Sequence, residues 1–165
     1  IIIIYIYIYL LFNMKKTEWG PCIWTFLHCL SIKIKDEFFM TEKITIIDLI
    51  RDTCSNLPCP TCSSHAILLL KKYNIDKINS KENLIKLIFI MHNEVNKKLK
   101  KNLYNYNILI NTYNKYNFME VLNKYNYVIN QSNYNEKMML HSFYKKRYVK
   151  KFRDYFLKNI SKYNI

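Results

Sequence analysis

SKENLIKLIFIMHNEVNKKLKKN, residues 80–102, carries the clearest helical pattern of the chain. Its apolar residues recur three or four positions apart, which places them on one face of an α-helix. Ser80 is suited to begin this helix, because a serine oxygen can accept a hydrogen bond from the free N–H groups of a first turn. The predicted apolar stripe consists of Leu84, Leu87, Ile88, Met91, Val95 and Leu99.

Two stretches that precede this helix show the same spacing. Residues 17–34 place aromatic, apolar and polar side chains on one face, namely Trp24, Leu27, His28 and Ser31. Residues 42–56 follow Thr41, a suitable N-cap, and carry a stripe of Ile44, Ile47, Ile50 and Cys54. Both stretches are therefore predicted to be helices.

Two shorter stretches complete the pattern. Residues 57–72, LPCPTCSSHAILLLKK, begin with prolines, which suit a first helical turn, and end in lysines, which suit a last one. Residues 106–116 predict a short fifth helix. The chain has 1 Gly and 3 Pro in 165 residues, and no pair of strands interrupts the helical pattern. We therefore predict an all-α fold, a four-helix bundle plus a short fifth helix.

The two ends of the chain differ in composition from this bundle. Residues 1–13 form an apolar low-complexity leader of alternating Ile and Tyr. Its apolar run is shorter than the roughly 20 residues of a membrane helix, and it reads as a translated TA repeat, so we expect the natural chain to begin at Met14. Residues 119–165 form a basic, Asn/Tyr/Lys-rich C-terminal extension, predicted as two helical pieces. We expect a solvated amphipathic tail there, with contact to phosphate or membrane through residues 145–151 as the alternative.

The formal net charge is +14, a value that attracts nucleic acid and anionic surfaces. The richness in Lys, Asn, Ile and Tyr is also what AT-rich codons supply, so solvated lysines are the favoured interpretation of the charge. A basic nucleic-acid-binding or virion scaffold protein without catalysis is the alternative function.

The chain contains 5 Cys, and Cys59 and Cys62 form a C-x-x-C at the start of a predicted helix. Unpaired N–H groups and the helix dipole stabilise a thiolate at that position, as disulfide exchange requires. Cys54, Cys59, Cys62 and His65 could formally bind zinc, but three of these ligands fall on one helix without a second pair, so no metal site is predicted.

Three motifs in order then point to a family: W-G-x-x-x-W-x-x-L-H at 19–28, the C-x-x-C, and H-N-x-V-N at 92–96. This order resembles the Erv/ALR family of FAD-dependent sulfhydryl oxidases, especially its short members from large cytoplasmic DNA viruses. The resemblance implies that residues 14–118 form an FAD-binding sulfhydryl oxidase domain. It implies Cys59 and Cys62 as catalytic residues, and as cofactor contacts Gly20, Trp24, His28, His65, His92, Asn93, Val95, Asn96, Lys98 and Lys101.

The resemblance also implies a reaction and partners. A dithiol redox protein would donate electrons, first to Cys59 and then through Cys62 and FAD to molecular oxygen, giving hydrogen peroxide. Family members are usually homodimers through their first two helices. The viral likeness implies a location at assembly sites in the host cytoplasm, with the virion as a further site. Cys22 and Cys29 are seven residues apart on one helix, too distant for a disulfide, and Cys54 is expected to be a buried core thiol.

Overall fold

The structure, a computed structural model, describes residues 16–131 and 139–165. The leader 1–13 and the start at Met14 lie outside these residues. The described elements are helical, in the order α1 (Lys16–Lys33), α2 (Asp36–Ser55), α3 (Pro60–Lys72), α4 (Lys81–Lys98), α5 (Tyr106–Asn114), α6 (Phe118–Asn130) and α7 (Met139–Asn159), with short 3-10 turns at Ile75–Lys77 and Ile160–Lys162. The predicted all-α fold is confirmed. No helix in the described part is long and apolar enough to cross a membrane.

The helix starts follow from capping residues in the sequence. Ser80 accepts a hydrogen bond from the N–H of Asn83 at 3.1 Å and begins α4, as predicted. Asn105 and Asn117 cap α5 and α6 with their side-chain oxygens in the same way. Cys59 is the N-cap of α3, and Pro60 takes the first helical position, where its missing N–H costs nothing.

The predicted start of α2 at Thr41 is wrong, since α2 begins five residues earlier, at Asp36. Thr41 lies inside the helix and donates its hydroxyl to the carbonyl of Phe38 at 2.9 Å, so it caps nothing. The predicted stripe of α2 is buried at Ile47, Ile50 and Cys54, whereas Ile44 is 72% exposed. Burial of Cys54 confirms it as a core thiol.

The core is built around α1, whose Phe26, Cys29 and Leu30 are inaccessible to solvent. α4 packs against α1 through the predicted stripe: Leu84, Leu87, Ile88 and Met91 are buried. Leu99 is 40% exposed because α4 ends before it. α1, α2, α3 and α4 thus form the predicted bundle, with α5 also packed against α1.

The C-terminal extension packs on this core, so the expectation of a solvated tail is wrong for its apolar half. α6 lies along α1, where the ring of Tyr125 stacks on Phe26 at a centroid distance of 3.9 Å. α7 buries its own apolar stripe: Tyr148, Val149, Phe152, Tyr155 and Phe156. The chain end returns to the α1–α2 junction, where the N–H of Asn164 bonds the carbonyl of Lys33 at 2.8 Å.

The basic residues 145–151 divide between solvent and the fold. Lys145 bonds the carbonyl of Gln131 at 2.6 Å, and Lys151 pairs with Asp52 of α2 at 2.6 Å. Lys150 pairs with Asp154 one turn later, while Lys146 and Arg147 make no salt bridge within the described residues. Three of the five cations in this cluster therefore have partners within the fold.

Candidate active site

The C-x-x-C lies at the loop that joins α2 to α3, and its two sulfurs are bonded to each other as a disulfide. The Cα atoms of Cys59 and Cys62 are 5.1 Å apart, a normal spacing for a disulfide. Cys59 Sγ accepts the N–H of Cys62 at 3.3 Å and lies 3.2 Å from the hydroxyl of Thr61. Both cysteines are partly exposed. A thiol from another molecule can therefore approach this disulfide.

The other three cysteines are poor candidates for exchange chemistry. Cys22, Cys29 and Cys54 are free and buried. Burial raises the pKa of the Cys22 thiol to about 11 and the pKa values of Cys29 and Cys54 to about 12, because a thiolate loses its hydration there. The thiolate is the reactive form of cysteine, so redox chemistry is concentrated at Cys59 and Cys62.

A second feature is a group of contacting rings between α1, α4 and α5, which we call the ring ladder: Trp24, His92, His28 and Tyr113. Trp24 of α1 stacks on His92 of α4, with ring centroids 4.1 Å apart and planes 7° from parallel. His28 contributes Nε2, 3.0 Å from Nδ1 of His92, and both histidines are buried. Tyr113 of α5 stacks on the other side of His28 at 4.5 Å. The structure thus brings together Trp24, His28 and His92, three of the residues that the resemblance implies as cofactor contacts.

Both imidazoles are electrically neutral near pH 7. Burial and, to a smaller extent, the charge of Lys101 together lower the pKa of His92 to about 4. The pKa of His28 is also well below its usual range, first through burial and then through His92. Neutral imidazoles can donate and accept hydrogen bonds, so the pair can bind an uncharged heteroaromatic ring.

One atom of this cluster lacks a partner. Nδ1 of His28 is buried and has no hydrogen bond within the described part of the chain, although buried polar atoms are nearly always paired. A bound group with a ring heteroatom or a carbonyl would supply what is missing. This observation fits a flavin, whose rings carry both, next to a stack of aromatic side chains.

Four of the remaining predicted cofactor contacts lie on α4 and α1. Asn93 uses its side-chain amide on the backbone of Tyr104, donating to the carbonyl at 3.0 Å and accepting the N–H at 2.9 Å. Asn96 is buried, and Val95 packs against the core. Gly20 lies in α1, where an added Cβ would meet no atom within 4 Å apart from its chain neighbours and the backbone of its own helix.

The predicted cations lie near the predicted histidines. Lys101 acts on the pKa of His92, and Lys98 acts on the pKa of His65, which is lowered first by burial and then by that lysine. Glu94 opposes this effect on His65, and also pairs with Lys72 of α3 at 3.5 Å. Positive charge beside these rings is suited to a pyrophosphate.

Two site residues carry no signal in the sequence patterns. Tyr104 lies in the loop before α5, its ring 4.9 Å from His92, and Tyr113 lies among several similar tyrosines. Tyr104 is identified by its hydrogen bonds to Asn93, and Tyr113 by its position on α5 against His28. Both signals depend on how the helices pack, so the sequence alone does not give them. In the described residues, no group of three or more His, Cys, Asp or Glu could hold a metal, and two of the formal zinc ligands are joined as a disulfide.

A scan against family models matches residues 21–118 to the Erv1 / Alr family. The chain belongs to the Erv1/Alr family. The match spans α1 to α5 and so contains both the C-x-x-C and the ring ladder. It begins just after Trp19 and Gly20 of the first motif.

Curated proteins that are similar to this chain carry the name FAD-linked sulfhydryl oxidase. One, named FAD-linked sulfhydryl oxidase, from African swine fever virus (isolate Pig/Kenya/KEN-50/1950), is 34% identical over 90 residues, which cover 54% of this chain and 75% of that protein. The mitochondrial FAD-linked sulfhydryl oxidase erv1 of Schizosaccharomyces pombe is 28% identical over 92 residues, covering 55% and 50%. A putative FAD-linked sulfhydryl oxidase of invertebrate iridescent virus 3 is 27% identical over 84 residues, covering 50% and 57%. No solved structure gave a significant match.

Proposed function

We propose that this chain is an FAD-linked thiol oxidase that forms disulfide bonds in a partner protein. The observation that carries the proposal is the pair of sites in one small bundle: an accessible disulfide at the start of α3, and a ladder of neutral rings with an unpaired polar atom between α1 and α4. Membership of the Erv1/Alr family and the names of its viral relatives support it.

The cofactor would be held by residues that the structure brings together. Trp24, His28 and His92 offer stacking surfaces and hydrogen-bonding atoms, while Lys98 and Lys101 offer positive charge for the phosphates. When bound, FAD supplies the transfer of electron pairs from thiols to oxygen, which yields hydrogen peroxide. Asn93 keeps Tyr104 against His92 and so shapes the edge of this site.

The protein's own part of the reaction is disulfide exchange. A thiolate of the partner attacks Cys59, the cysteine at the helix N-cap, and the electron pair of the broken bond goes to Cys62. A second thiolate of the partner then displaces Cys59, and the partner leaves as a disulfide. The buried free cysteines take no part, because their raised pKa values keep them protonated.

An absorption spectrum of the purified full chain tests the function. We expect a visible flavin band that bleaches with dithiothreitol and recovers in air, with release of peroxide. Cys59→Ser and Cys62→Ser should abolish peroxide release while they retain the flavin, and Cys22→Ala, a buried free thiol, should behave as the unmodified chain. A folded but colourless protein that does not take up added FAD would reject the proposal.

A dithiol redox protein as the physiological electron donor belongs to this proposal, as does the cellular location. We expect the chain at viral assembly sites in the host cytoplasm and in the virion. Trapping with Cys62→Ser identifies the donor: the free Cys59 thiolate attacks the disulfide of the oxidised donor, the donor's second sulfur takes the electron pair, and no Cys62 is present to displace the donor by a return attack. Immunolocalisation in infected cells, with detection in purified particles, tests the location. A donor without a reactive dithiol would contradict the proposal.

The homodimer through the first two helices stays a prediction. The other helices leave only part of the surface of α1 and α2 exposed to a second copy. α6 covers α1, and α7 reaches α2. On α1 and α2 the exposed large apolar residues of the described structure are Met40 and Ile44, four positions apart. A second copy would dock there, and Ile44→Lys should then convert a dimeric mass in light scattering to a monomeric one. A monomeric mass of the unmodified chain at every concentration would reject the dimer.

A non-catalytic basic protein remains the alternative function. The +14 charge and the exposed Lys146 and Arg147 favour it. Salt-sensitive binding to DNA, with a biological role unchanged by Cys59→Ser, would support this alternative over the oxidase.

A further inference from the structure

The two sulfurs of the C-x-x-C have different surroundings. Cys59 Sγ receives the backbone N–H of Cys62 at 3.3 Å, and the Thr61 hydroxyl oxygen lies 3.2 Å away. In the disulfide neither sulfur carries a proton, so the Thr61 hydroxyl is the donor of this contact. Cys62 Sγ receives no hydrogen bond from the described residues. Two donors therefore converge on one sulfur of the pair.

Thr61 is placed for this contact by the local backbone. It lies between the two cysteines in the first turn of α3, after Pro60, whose ring fixes the entry of the chain into the helix. Its side chain is exposed, so it contributes nothing to the core. Ser64, one turn later on α3, is also exposed and makes no hydrogen bond to either sulfur.

We propose that the Thr61 hydroxyl is a catalytic group, a hydrogen-bond donor that stabilises the negative charge on Cys59 Sγ when this sulfur leaves the mixed disulfide with the partner. The inference rests on the proposed function and adds a residue to it that neither the motifs nor the family resemblance assigns. It makes the release of the oxidised partner depend on a side chain between the two cysteines.

The chemical step is balanced as follows. The first thiolate of the partner bonds to Cys59, the Cys59–Cys62 bond breaks, and Cys62 takes the electron pair. The second thiolate of the partner bonds to the partner's first sulfur, the bond between that sulfur and Cys59 breaks, and Cys59 takes the electron pair. The partner dithiol is oxidised by two electrons and the Cys59–Cys62 disulfide is reduced by two, while the two thiol protons of the partner go to water.

Donors that hold the leaving sulfur accelerate the second displacement. A leaving thiolate that binds its proton less tightly departs faster, and hydrogen bonds to a charged acceptor are stronger than those to a neutral one. The contact between Thr61 and Cys59 therefore gains strength as charge develops on the sulfur, which is the requirement for catalysis.

The first test needs no cofactor. In the Cys62→Ser chain, Cys59 is the thiol left at the site, and its alkylation by iodoacetamide is followed against pH. Thr61→Val, which removes the hydroxyl and preserves the shape, should move the half-maximal pH upward by about half to one unit. Thr61→Ser, which retains the hydroxyl, should stay near the parent, and so should the matched control Ser64→Ala.

The second test uses the complete enzyme with dithiothreitol as the dithiol. Thr61→Val should lower kcat about three- to tenfold with an unchanged flavin spectrum, and Thr61→Ser should recover most of the loss. Equal alkylation profiles for Thr61→Val and the parent, or equal shifts for Thr61→Val and Thr61→Ser, would overturn the inference. Absence of flavin in the parent chain would reject the oxidase function instead, and the alkylation comparison would still decide the role of Thr61.

Discussion

Gly20 lies inside α1, where an added Cβ would meet no atom within 4 Å apart from its chain neighbours and the backbone of its own helix. Glycine in a helix interior is less favourable than alanine by roughly 0.5–1 kcal/mol. Pro21 follows Gly20, and the Cδ of a proline crowds a Cβ on the residue before it, so Gly20→Ala should raise the free energy of unfolding by less than that amount in urea titrations without FAD. The family resemblance places Gly20 beside the flavin, so the methyl group should also weaken FAD binding in a fluorescence titration.

The exposed Asn123 of α6 provides the control for Gly20. Asn123→Ala should also favour the helix, but it lies away from the ring ladder and should leave FAD affinity unchanged. Unchanged FAD affinity in Gly20→Ala would contradict the assignment of Gly20 as a cofactor contact, whatever its effect on stability.

The buried His28–His92 pair predicts a loss of stability in acid. The pKa of His92 is lowered to about 4 in the folded chain, whereas an unfolded histidine titrates near 6.5. Protons therefore bind the unfolded state more readily, and the stability present above pH 6.5 is lost as the pH falls towards 4. For His92 alone, the loss is about 3 kcal/mol.

Urea unfolding of the cofactor-free chain between pH 7 and pH 4 measures this slope. His92→Gln should flatten it, because the buried titrating group is gone. His65→Gln should retain most of it, since His65 is far more exposed than His92. A slope that is equally steep in His92→Gln would show that another group controls the acid sensitivity.

At the scale of elements, the sequence patterns predicted where helices exist better than where they end. The stripe of α4 was correct from Leu84 to Met91, yet the predicted helix extended to residue 102. α4 ends at Lys98, because Lys100 has a φ of 55° and the N–H of Lys101 bonds the carbonyl of Asn96. Glycine usually takes this left-handed position, so a lysine there gave no stop signal.

The same limit applies to the candidate site. Trp24 and His28 could be placed on one face of the first helix by their spacing, whereas His92 was indicated by the resemblance of the H-N-x-V-N motif. Tyr104 and Tyr113 could not be predicted, since one lies in a loop and the other among many tyrosines. The hydrogen bonds of Asn93 to the loop select Tyr104, and the packing of α5 on α1 selects Tyr113. Local spacing determines which face a residue occupies, while contacts between elements determine its partner.

The link between α4 and the following loop yields a prediction at this scale. Asn93 forms two hydrogen bonds with the backbone of Tyr104, and these hold the Tyr104 ring near His92. Asn93→Ala removes both bonds, so the loop should loosen and the dissociation constant for FAD should rise about tenfold, as the loss of two modest hydrogen bonds implies. Fluorescence titration of the cofactor-free chain measures this constant.

Asn83 on the same helix is the matched control, because its side chain donates to Asn79 and lies far along α4 from the ring ladder. Asn83→Ala should leave the dissociation constant unchanged. If Asn93→Ala binds FAD as tightly as the unmodified chain, the Asn93–Tyr104 link has no part in the cofactor site.

At the scale of the whole molecule, the expectation of a solvated C-terminal extension is wrong for its apolar half. The composition of the extension, rich in Tyr, Asn and Lys, does not reveal its apolar stripe. Tyr, Asn and Lys dominate α6 and α7, and tyrosine can be either solvated or buried. Here Tyr125, Tyr148 and Tyr155 are buried with their hydroxyls paired, as Tyr155 donates to Glu42 of α2 at 3.0 Å. A partner for each hydroxyl had to come from a distant part of the chain, which no local pattern encodes.

One such link joins three helices through hydroxyl groups. Thr53 of α2 lies 2.8 Å from the hydroxyl of Tyr148 of α7, and Tyr125 of α6 bonds both, at 3.1 Å and 2.6 Å. The same residues border a small cavity that also touches Pro58, the residue before Cys59. The extension thus supports the fold directly behind the loop that carries the disulfide.

Tyr148→Phe tests whether the extension is part of the cooperative fold. The substitution preserves the ring but leaves the buried hydroxyls of Thr53 and Tyr125 each with one partner fewer, at a cost of about 1–3 kcal/mol. Urea unfolding followed by circular dichroism should show one transition at a lower midpoint. Tyr127→Phe is the matched control, since Tyr127 is 65% exposed and should leave the midpoint unchanged. Equal midpoints for Tyr148→Phe and Tyr127→Phe would mean that α7 unfolds independently of α1 and α2. A separate early transition in the unmodified chain would mean the same. A single transition shifted to a lower midpoint in Tyr148→Phe would show that the extension is a structural part of the oxidase.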